Sequence, residues 1–370
     1  MAMSVPLTPA EFDISILENL IRTVYPDIRL ASVSVVDAAM STEADQRVST
    51  ARRIAFDVSY ADGSQPDLPG RLMVKVARPE FREIPLYDNE VNVYMRIGEE
   101  LPIRVPRSFG GVRDRKSATF GLVLEDLRPM NATFEDVLSP LAANDTAALL
   151  DQLATLHAAY WESGRFQGDL DWIQPHTSGP IHELFTSDNG VVLLIEHEVA
   201  THQFKRELVQ STGETTASLR AQVARVRAHQ ATLPCTLLHG DAHIGNTYRL
   251  PDGLRGFLDL QLVARGFCMH DVSYIIVTSL SVDDRRAHER DLIAGYRQRL
   301  VDLGVVAPPT LDELFYEHRL AMAWCLYIGW LTSPTENYGW AITVGNLVRI
   351  STAYRDLSSS AAIEALPVEA

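Results

Sequence analysis

Three residues in this 370-residue chain have the types and spacing to handle a phosphoryl group: Asp241, Asn246 and Asp259. Four residues separate Asp241 from Asn246, and Asp259 follows Asn246 by thirteen. Phosphoryl transfer asks little covalent chemistry of a protein. It needs a carboxylate to take the proton of the attacking hydroxyl, and an amide and a second carboxylate to hold magnesium against the phosphates. The stretch Leu237-Leu238-His239-Gly240-Asp241-Ala242-His243-Ile244-Gly245-Asn246, followed by Phe257-Leu258-Asp259-Leu260-Gln261, offers these groups in that order. Asp241 is then the candidate base, and Asn246 and Asp259 are the candidate magnesium ligands. The turn Pro251-Asp252-Gly253 lies between them, as a hairpin requires.

The same stretch supports a rival chemistry. His239-x-Asp241-x-His243 could chelate a divalent ion for a metal-dependent hydrolase. Such sites draw further ligands from other loops, no HxxxD or HExxH cluster supplies them, and Asn246 is left unexplained. The absence of a GxSxG elbow, a Walker A loop and a GxGxxG fingerprint argues against the common hydrolase, P-loop and Rossmann classes.

The elements that must position these residues fall into two textures. Thr8-Pro9-Ala10-Glu11 has the form of a capping box and predicts a helix with Ile14, Leu17, Leu20 and Ile21 buried. Strands are predicted over 33–36, 53–60, 72–77 and 121–127, with another strand region starting at 106–110 and a helix over 85–97. After Arg128 the pattern becomes helical, over 145–161, 190–209, 214–229 and from 283 onward. Two short strands, 236–238 and 256–260, interrupt it. The expected organisation is an N-terminal lobe over 1–127, a helical lobe over 128–357, and a flexible tail over 358–370.

Composition agrees with a folded, water-exposed chain: 46% hydrophobic and 22% charged residues. A net charge of −15 repels phosphate backbones, so no nucleic-acid partner is expected. The longest apolar run, near Leu320 to Leu331, is too short to span a bilayer, so no membrane partner is expected. Cys235, Cys268 and Cys325 lie far apart and read as reduced thiols, which with the absence of a signal-peptide pattern gives a cytoplasmic expectation. A monomer or homodimer is expected.

The Asp241 segment resembles the catalytic loop of the aminoglycoside phosphotransferase and choline kinase superfamily. Asp259-Leu260-Gln261 and Gly266…Asp271-Val272-Ser273-Tyr274 look closest to its ecdysteroid-kinase-like branch and the bacterial relatives of that branch. The resemblance covers roughly residues 30 to 330. It implies an α+β, two-lobed protein-kinase-like fold: a small N-terminal antiparallel sheet lobe and a larger, mainly helical C-terminal lobe. It implies ATP, or GTP in its place, with Mg2+, and a small-molecule hydroxyl as phosphoryl acceptor.

Further roles follow from the resemblance. Lys75, in an apolar strand, resembles the lysine that contacts the α- and β-phosphates, and Glu90 resembles its ion-pair partner. Taken singly, each is an ordinary surface charge; their order upstream of the Asp241 loop favours the paired reading. Glu125, Asp126 and Leu127 are similar to the interlobe hinge whose backbone meets the purine edge. His239, His243, Gln261 and Asp271 are loop-supporting residues, with a helix N-cap as the plainer reading of Asp271. Gly240 stands where protein kinases carry an arginine that pairs with a phosphorylated activation loop, so no such switch is expected.

One departure bears on competence. The phosphate-covering loop of the family is often glycine-rich, whereas Met40 to Arg47 has no glycine, leaving Ser41 and Thr42 as the candidate phosphate donors. That motivates a second alternative, a non-catalytic nucleotide-binding pseudokinase. For the acceptor, Trp161, Trp172, Tyr274, Trp324, Tyr327, Trp330 and Tyr338 are the aromatic candidates. Trp324, Tyr327 and Trp330 suggest an apolar wall, favouring an apolar alcohol, sterol, terpenoid or phenol over an aminoglycoside.

Overall fold

The computed structural model describes residues 5–36, 50–63, 68–81, 83–116 and 118–367, less the side chains of Glu80, Glu336 and Asn337. Two compact units divide it, and each is described by itself. The first comprises Met1–Thr133, Arg249–Leu254 and Leu258–Gln261; the second comprises Phe134–Tyr248, Arg255–Phe257 and Leu262–Ala370. The chain is α+β, with the antiparallel sheet in the N-terminal part and helices dominating the rest.

The first unit is built on five antiparallel strands: β1 (Leu30–Val35), β2 (Ala51–Tyr60), β3 (Arg71–Ala77), β4 (Ser108–Asp114) and β5 (Thr119–Glu125), in the order β1-β2-β3-β5-β4. Strand β3 is therefore central. Lys75 lies on it, opposite Arg53 of β2 and Leu122 of β5, and is buried, which rules out an ordinary surface charge. The leading helix differs from its expected start. The Thr8–Glu11 box closes only a 3-10 turn, Pro9–Glu11, and helix α1 (Ile14–Ile21) begins beyond it. Asp13 is the reason: its Oδ1 accepts from the Ile16 backbone N–H at 2.9 Å and restarts the chain as a true N-cap. Leu17, Leu20 and Ile21 of α1 pack with Phe56, Val74 and Val123 of the sheet. Each such fully buried side chain contributes about 1.5–3 kcal/mol. Helix α2 (Leu86–Arg96) carries Tyr87, Asn89, Glu90 and Val93 on its buried side.

The second unit is helical: α3 (Ala143–Ala159), α4 (Gly179–Thr186), α5 (Val191–Thr201), α6 (Gln203–Ser211), α7 (Thr216–Gln230), α8 (Met269–Ser279), α9 (Val282–Asp302), α10 (Leu311–Trp324), α11 (Trp340–Asp356) and α12 (Ser359–Glu364). Helix α10 runs on into a π-helical stretch, Cys325–Leu331. Such wide turns are rare and are frequent at functional sites. Two three-residue strands, Thr236–Leu238 and Ala264–Gly266, pair antiparallel and flank the Asp241 loop. The expected strand over 256–260 is shorter, Arg255–Phe257, because Asp259 takes a left-handed backbone (φ 61°) that no strand continues through.

The expectation of a flexible tail from 358 is corrected as far as Pro367. Helix α12 presents Ala362, Ile363 and Leu366 to the helical core, and the Tyr316 hydroxyl donates to the Ala362 carbonyl at 2.9 Å. The apolar spacing of this segment gives it a face to bury, which a solvated tail lacks. Ile363 is 1% exposed. Ile363→Ala is therefore expected to lower stability by about 2–5 kcal/mol, read by urea denaturation. An unchanged midpoint would return the segment to the status of a tail.

Candidate active site

In the first unit a buried charge triplet joins the sheet to the segment after the hairpin. Lys75 Nζ lies 2.8 Å from Glu90 Oε1 and 3.0 Å from Asp259 Oδ1. The lysine and glutamate side chains are almost wholly enclosed. Burial pushes the Glu90 carboxyl up to about 7, and the Lys75 charge offsets this only in part. Burial also opposes the charged lysine, but Asp259 and Glu90 outweigh it and hold the ammonium above its ordinary value. The left-handed backbone of Asp259 is what turns a residue from the end of a strand back towards Lys75. Gln261, two residues on, is tied down twice: its carbonyl accepts from Asn89 Nδ2 at 2.9 Å and its Oε1 from the Thr50 hydroxyl at 3.2 Å.

In the second unit the loop carrying Asp241 is held by one turn of helix. Asp271 Oδ2 accepts from the His239 N–H at 2.6 Å, and its Oδ1 accepts from the Gly240 N–H at 2.9 Å. Its neighbour His270 places Nε2 3.1 Å from the Gly240 carbonyl. Both backbone groups of Gly240 are thus held by consecutive residues of α8. Asp271 is inside the helix, whose N-cap is Cys268, so it caps the loop and not its own helix. Gly240 has a left-handed backbone (φ 81°), and a Cβ there would lie 1.9 Å from the Leu262 carbonyl oxygen. No residue with a side chain fits.

Asp271 is wholly buried, and burial alone would raise its pKa. The hydrogen bond from His157 and the charges of His157, His270 and His239 prevail, so it lies below its ordinary value. His157 Nε2 is 3.3 Å from Asp271 Oδ2, while its Nδ1 meets the Tyr296 hydroxyl at 2.7 Å. His157, His270 and Tyr296 were not singled out from the sequence. The available signals were a histidine on the apolar face of a periodic helix and a histidine directly before Asp271.

Asp241 has its Oδ2 3.0 Å from Asn246 Nδ2, which also donates to the Asp241 carbonyl at 3.0 Å. That commits the Asn246 nitrogen and leaves its Oδ1 as the acceptor. His239 is buried, with Nδ1 accepting from the Asp241 N–H at 3.2 Å and its ring against Phe257. His243 Nδ1 accepts from the Gly245 N–H at 3.1 Å, and its Nε2 lies 3.8 Å from Asp241 Oδ2. The two histidines are therefore engaged in shaping the loop. Among the described residues no three His, Cys, Asp or Glu side chains converge as a chelate requires, which removes support from the hydrolase reading.

The aromatic candidates divide. The His243 ring meets Tyr274 edge-on at 5.6 Å and Trp330 at 6.1 Å; Trp330 in turn meets Tyr338 at 5.4 Å, and Tyr274 meets Trp324 at 5.1 Å. Burial, then the Asp241 charge, pushes the Tyr274 hydroxyl well above its ordinary value. Tyr327 is buried in the core and joins none of these ring contacts. Asp126 is committed to Arg128, whose Nε and Nη2 each lie 2.8 Å from its carboxylate; Glu125 ends β5, and Leu127 is buried beside it. Ser41 and Thr42 lie outside the described residues.

The sequence signature of the ecdysteroid kinase-like family matches residues 44–305. No curated protein matches the chain in sequence. Among solved structures, the choline kinase of Cryptosporidium parvum is 12% identical with a TM-score of 0.50, covering 94% of this chain and 96% of its own. An aminoglycoside phosphotransferase of Streptomyces rimosus, solved with ADP and streptomycin, is 16% identical with a TM-score of 0.39, covering 84% and 98%.

Two stability outcomes follow from the charges. Lys75→Met strands the Glu90 carboxylate in the interior, so it is expected to cost about 3–5 kcal/mol, and adding Glu90→Gln is expected to recover much of that. Equal denaturation midpoints for the single and double variants would show that no buried charge was stranded. Asp271→Asn sets an amide against two backbone donors. Because the folded pKa of Asp271 is depressed, its contribution is fully present above the unfolded value of 3.8 and is lost as pH falls through the folded pKa. The stability gap between wild type and Asp271→Asn is therefore expected to be level above about pH 5 and to close below about pH 4. A gap that persists unchanged in acid would mean that the carboxylate's charge is not what braces the loop.

Proposed function

The chain belongs to the ecdysteroid kinase-like family, and from that membership and the geometry around Asp241 we propose that it moves the γ-phosphoryl group of ATP to a hydroxyl of an apolar small molecule. The observation that carries this reading is the pair Asp241 and Asn246, held on a loop whose backbone is clamped by His270 and Asp271. A base that must meet a substrate proton needs a fixed position more than an unusual pKa.

Asp241 orients the acceptor hydroxyl and takes its proton as the oxygen attacks the γ-phosphorus. The bond from that phosphorus to the β–γ bridging oxygen breaks, and ADP leaves with the electron pair. Lys75 holds the α- and β-phosphates, and Glu90 fixes the direction of its ammonium. Asn246 Oδ1 and the Asp259 carboxylate are hard oxygen donors of the kind magnesium takes, so the residues fit that ion. When bound, magnesium supplies positive charge against the phosphate oxygens. Glu125, Asp126 and Leu127 would meet the purine through their backbone, a role compatible with the pairing of the Asp126 side chain with Arg128.

Acceptor class is the finer part of the proposal. The ring cluster of His243, Tyr274, Trp330 and Tyr338 beside Asp241 supports an apolar hydroxylated acceptor: a sterol, terpenoid or phenol. A polycationic aminoglycoside calls for carboxylates, and this cluster presents ring edges. Turnover of ATP against a panel of such alcohols, choline and aminoglycosides tests the class.

Asp241→Asn is expected to lower turnover by about 10²–10⁴-fold, while the melting-temperature rise produced by magnesium and ATP is retained. Wild-type turnover in Asp241→Asn would overturn the assignment of the base.

A further inference from the structure

The face of α8 that clamps Gly240 continues along the helix. Asp271, Tyr274 and Thr278 stand three and then four residues apart, a spacing that sets all three on one stripe, over about 10 Å of helix. Each meets the Asp241 loop at a later point than the one before. Asp271 takes the His239 and Gly240 N–H groups, the Tyr274 ring meets the His243 ring edge-on, and Thr278 Oγ1 accepts from the Ile244 N–H at 3.1 Å. Asp241 lies between the first of these contacts and the last.

The Thr278 hydroxyl is well placed to act as an anchor. Thr278 and Ile244 are both buried, so bulk water cannot stand in for the hydroxyl at the Ile244 N–H. The proton of the hydroxyl is committed to the Tyr274 carbonyl one turn back, at 2.8 Å, which leaves its oxygen to accept from the loop. Thr278 is itself tied down. Arg349 Nη1 donates to its carbonyl at 2.6 Å, and Nη2 donates to the Val137 carbonyl at 2.6 Å. A cation is favoured at this end of a helix, where the last carbonyls lack partners within it.

Ile244 opens the 3-10 turn Ile244–Asn246, and its carbonyl accepts from the Thr247 hydroxyl at 2.7 Å. Both of its backbone groups are therefore held, as both of those of Gly240 are. The clamp on Gly240 fixes the entry to Asp241. It leaves open where the turn carrying Asn246 stands, four residues further along. We propose that Thr278 is a positioning residue for phosphoryl transfer: by anchoring the Ile244 N–H it sets Asn246 relative to Asp241, so that α8 fixes the metal-holding end of the loop as well as the base. This inference rests on the phosphotransferase reading.

Thr278→Val nearly keeps the outline of the side chain and removes the hydroxyl. It should lower kcat by about 10-fold and raise several-fold the magnesium concentration needed for half-maximal turnover, with the acceptor KM unchanged. Thr278→Ser, which keeps the hydroxyl, should restore both. A merely structural role would lower the melting temperature and leave kcat per folded enzyme and the magnesium requirement at their wild-type values; that result overturns the proposal. A Thr278→Ser variant as impaired as Thr278→Val overturns it equally. One measurement needs no variant: in the wild type the Ile244 amide should exchange with solvent as slowly as the amides of α8, and exchange at the rate of an exposed loop contradicts the anchor. Asp241→Asn, assayed alongside, separates the two readings. Turnover lost in Asp241→Asn but kept in Thr278→Val removes this inference alone, whereas wild-type turnover in Asp241→Asn removes the phosphotransferase reading and this inference with it.

Discussion

The buried carboxylate of Asp271 is the constraint on which the Asp241 loop depends. One oxygen takes the His239 N–H and the other takes the Gly240 N–H, while His270 holds the Gly240 carbonyl. The peptide groups leading into Asp241 are thereby set by one turn of α8, and the first turn of a helix is where a carboxylate is electrostatically favoured. The cost of burying that charge is met by hydrogen bonds to ionic acceptors, each worth more than a neutral one. His157 and Tyr296 extend the network into α3 and α9, so the loop is tied to two further helices through a single side chain.

The first unit solves a similar problem with ions. Lys75 on the central strand has one carboxylate behind it on α2 and one ahead of it at Asp259. A buried ion pair is weak evidence of stability, because desolvation cancels much of the Coulomb gain. Its value here is directional. Glu90 is fully enclosed, Asp259 is partly exposed with a left-handed backbone, and the lysine between them has its ammonium aimed by both.

Much of this was legible in the sequence because it depended on local pattern. The strand alternation of 53–60 and 72–77, the helix over 85–97 and the Asp241-x4-Asn246 spacing are read within a window of ten residues. What was not legible is what depends on distance. The apolar face of Ala362, Ile363 and Leu366 looks like a frayed end until Tyr316 and the helical core lie opposite it. Trp324, Tyr327 and Trp330 look alike as a run and all three lie in the helical core, but Trp330 meets the His243 ring and Trp324 meets Tyr274, while Tyr327 joins neither contact. His157 and His270 are unremarkable singly; their role comes from where Asp271 and Gly240 fall. Asp13 displaced the expected helix start because two competing caps stand five residues apart and local rules do not rank them.

The glycine before Asp241 links these points. An arginine at this position, as protein kinases have, pairs with a phosphorylated segment and makes loop geometry conditional on modification. In this chain the left-handed backbone of Gly240 and the Leu262 carbonyl exclude any side chain. The restraint an arginine would deliver on demand is supplied instead by His270 and Asp271, both buried and both constitutive. On the phosphotransferase reading, the base is then positioned whenever the unit is folded. Control of such an enzyme falls to access of nucleotide and acceptor, or to whatever alters His270, and not to assembly of the Asp241 loop.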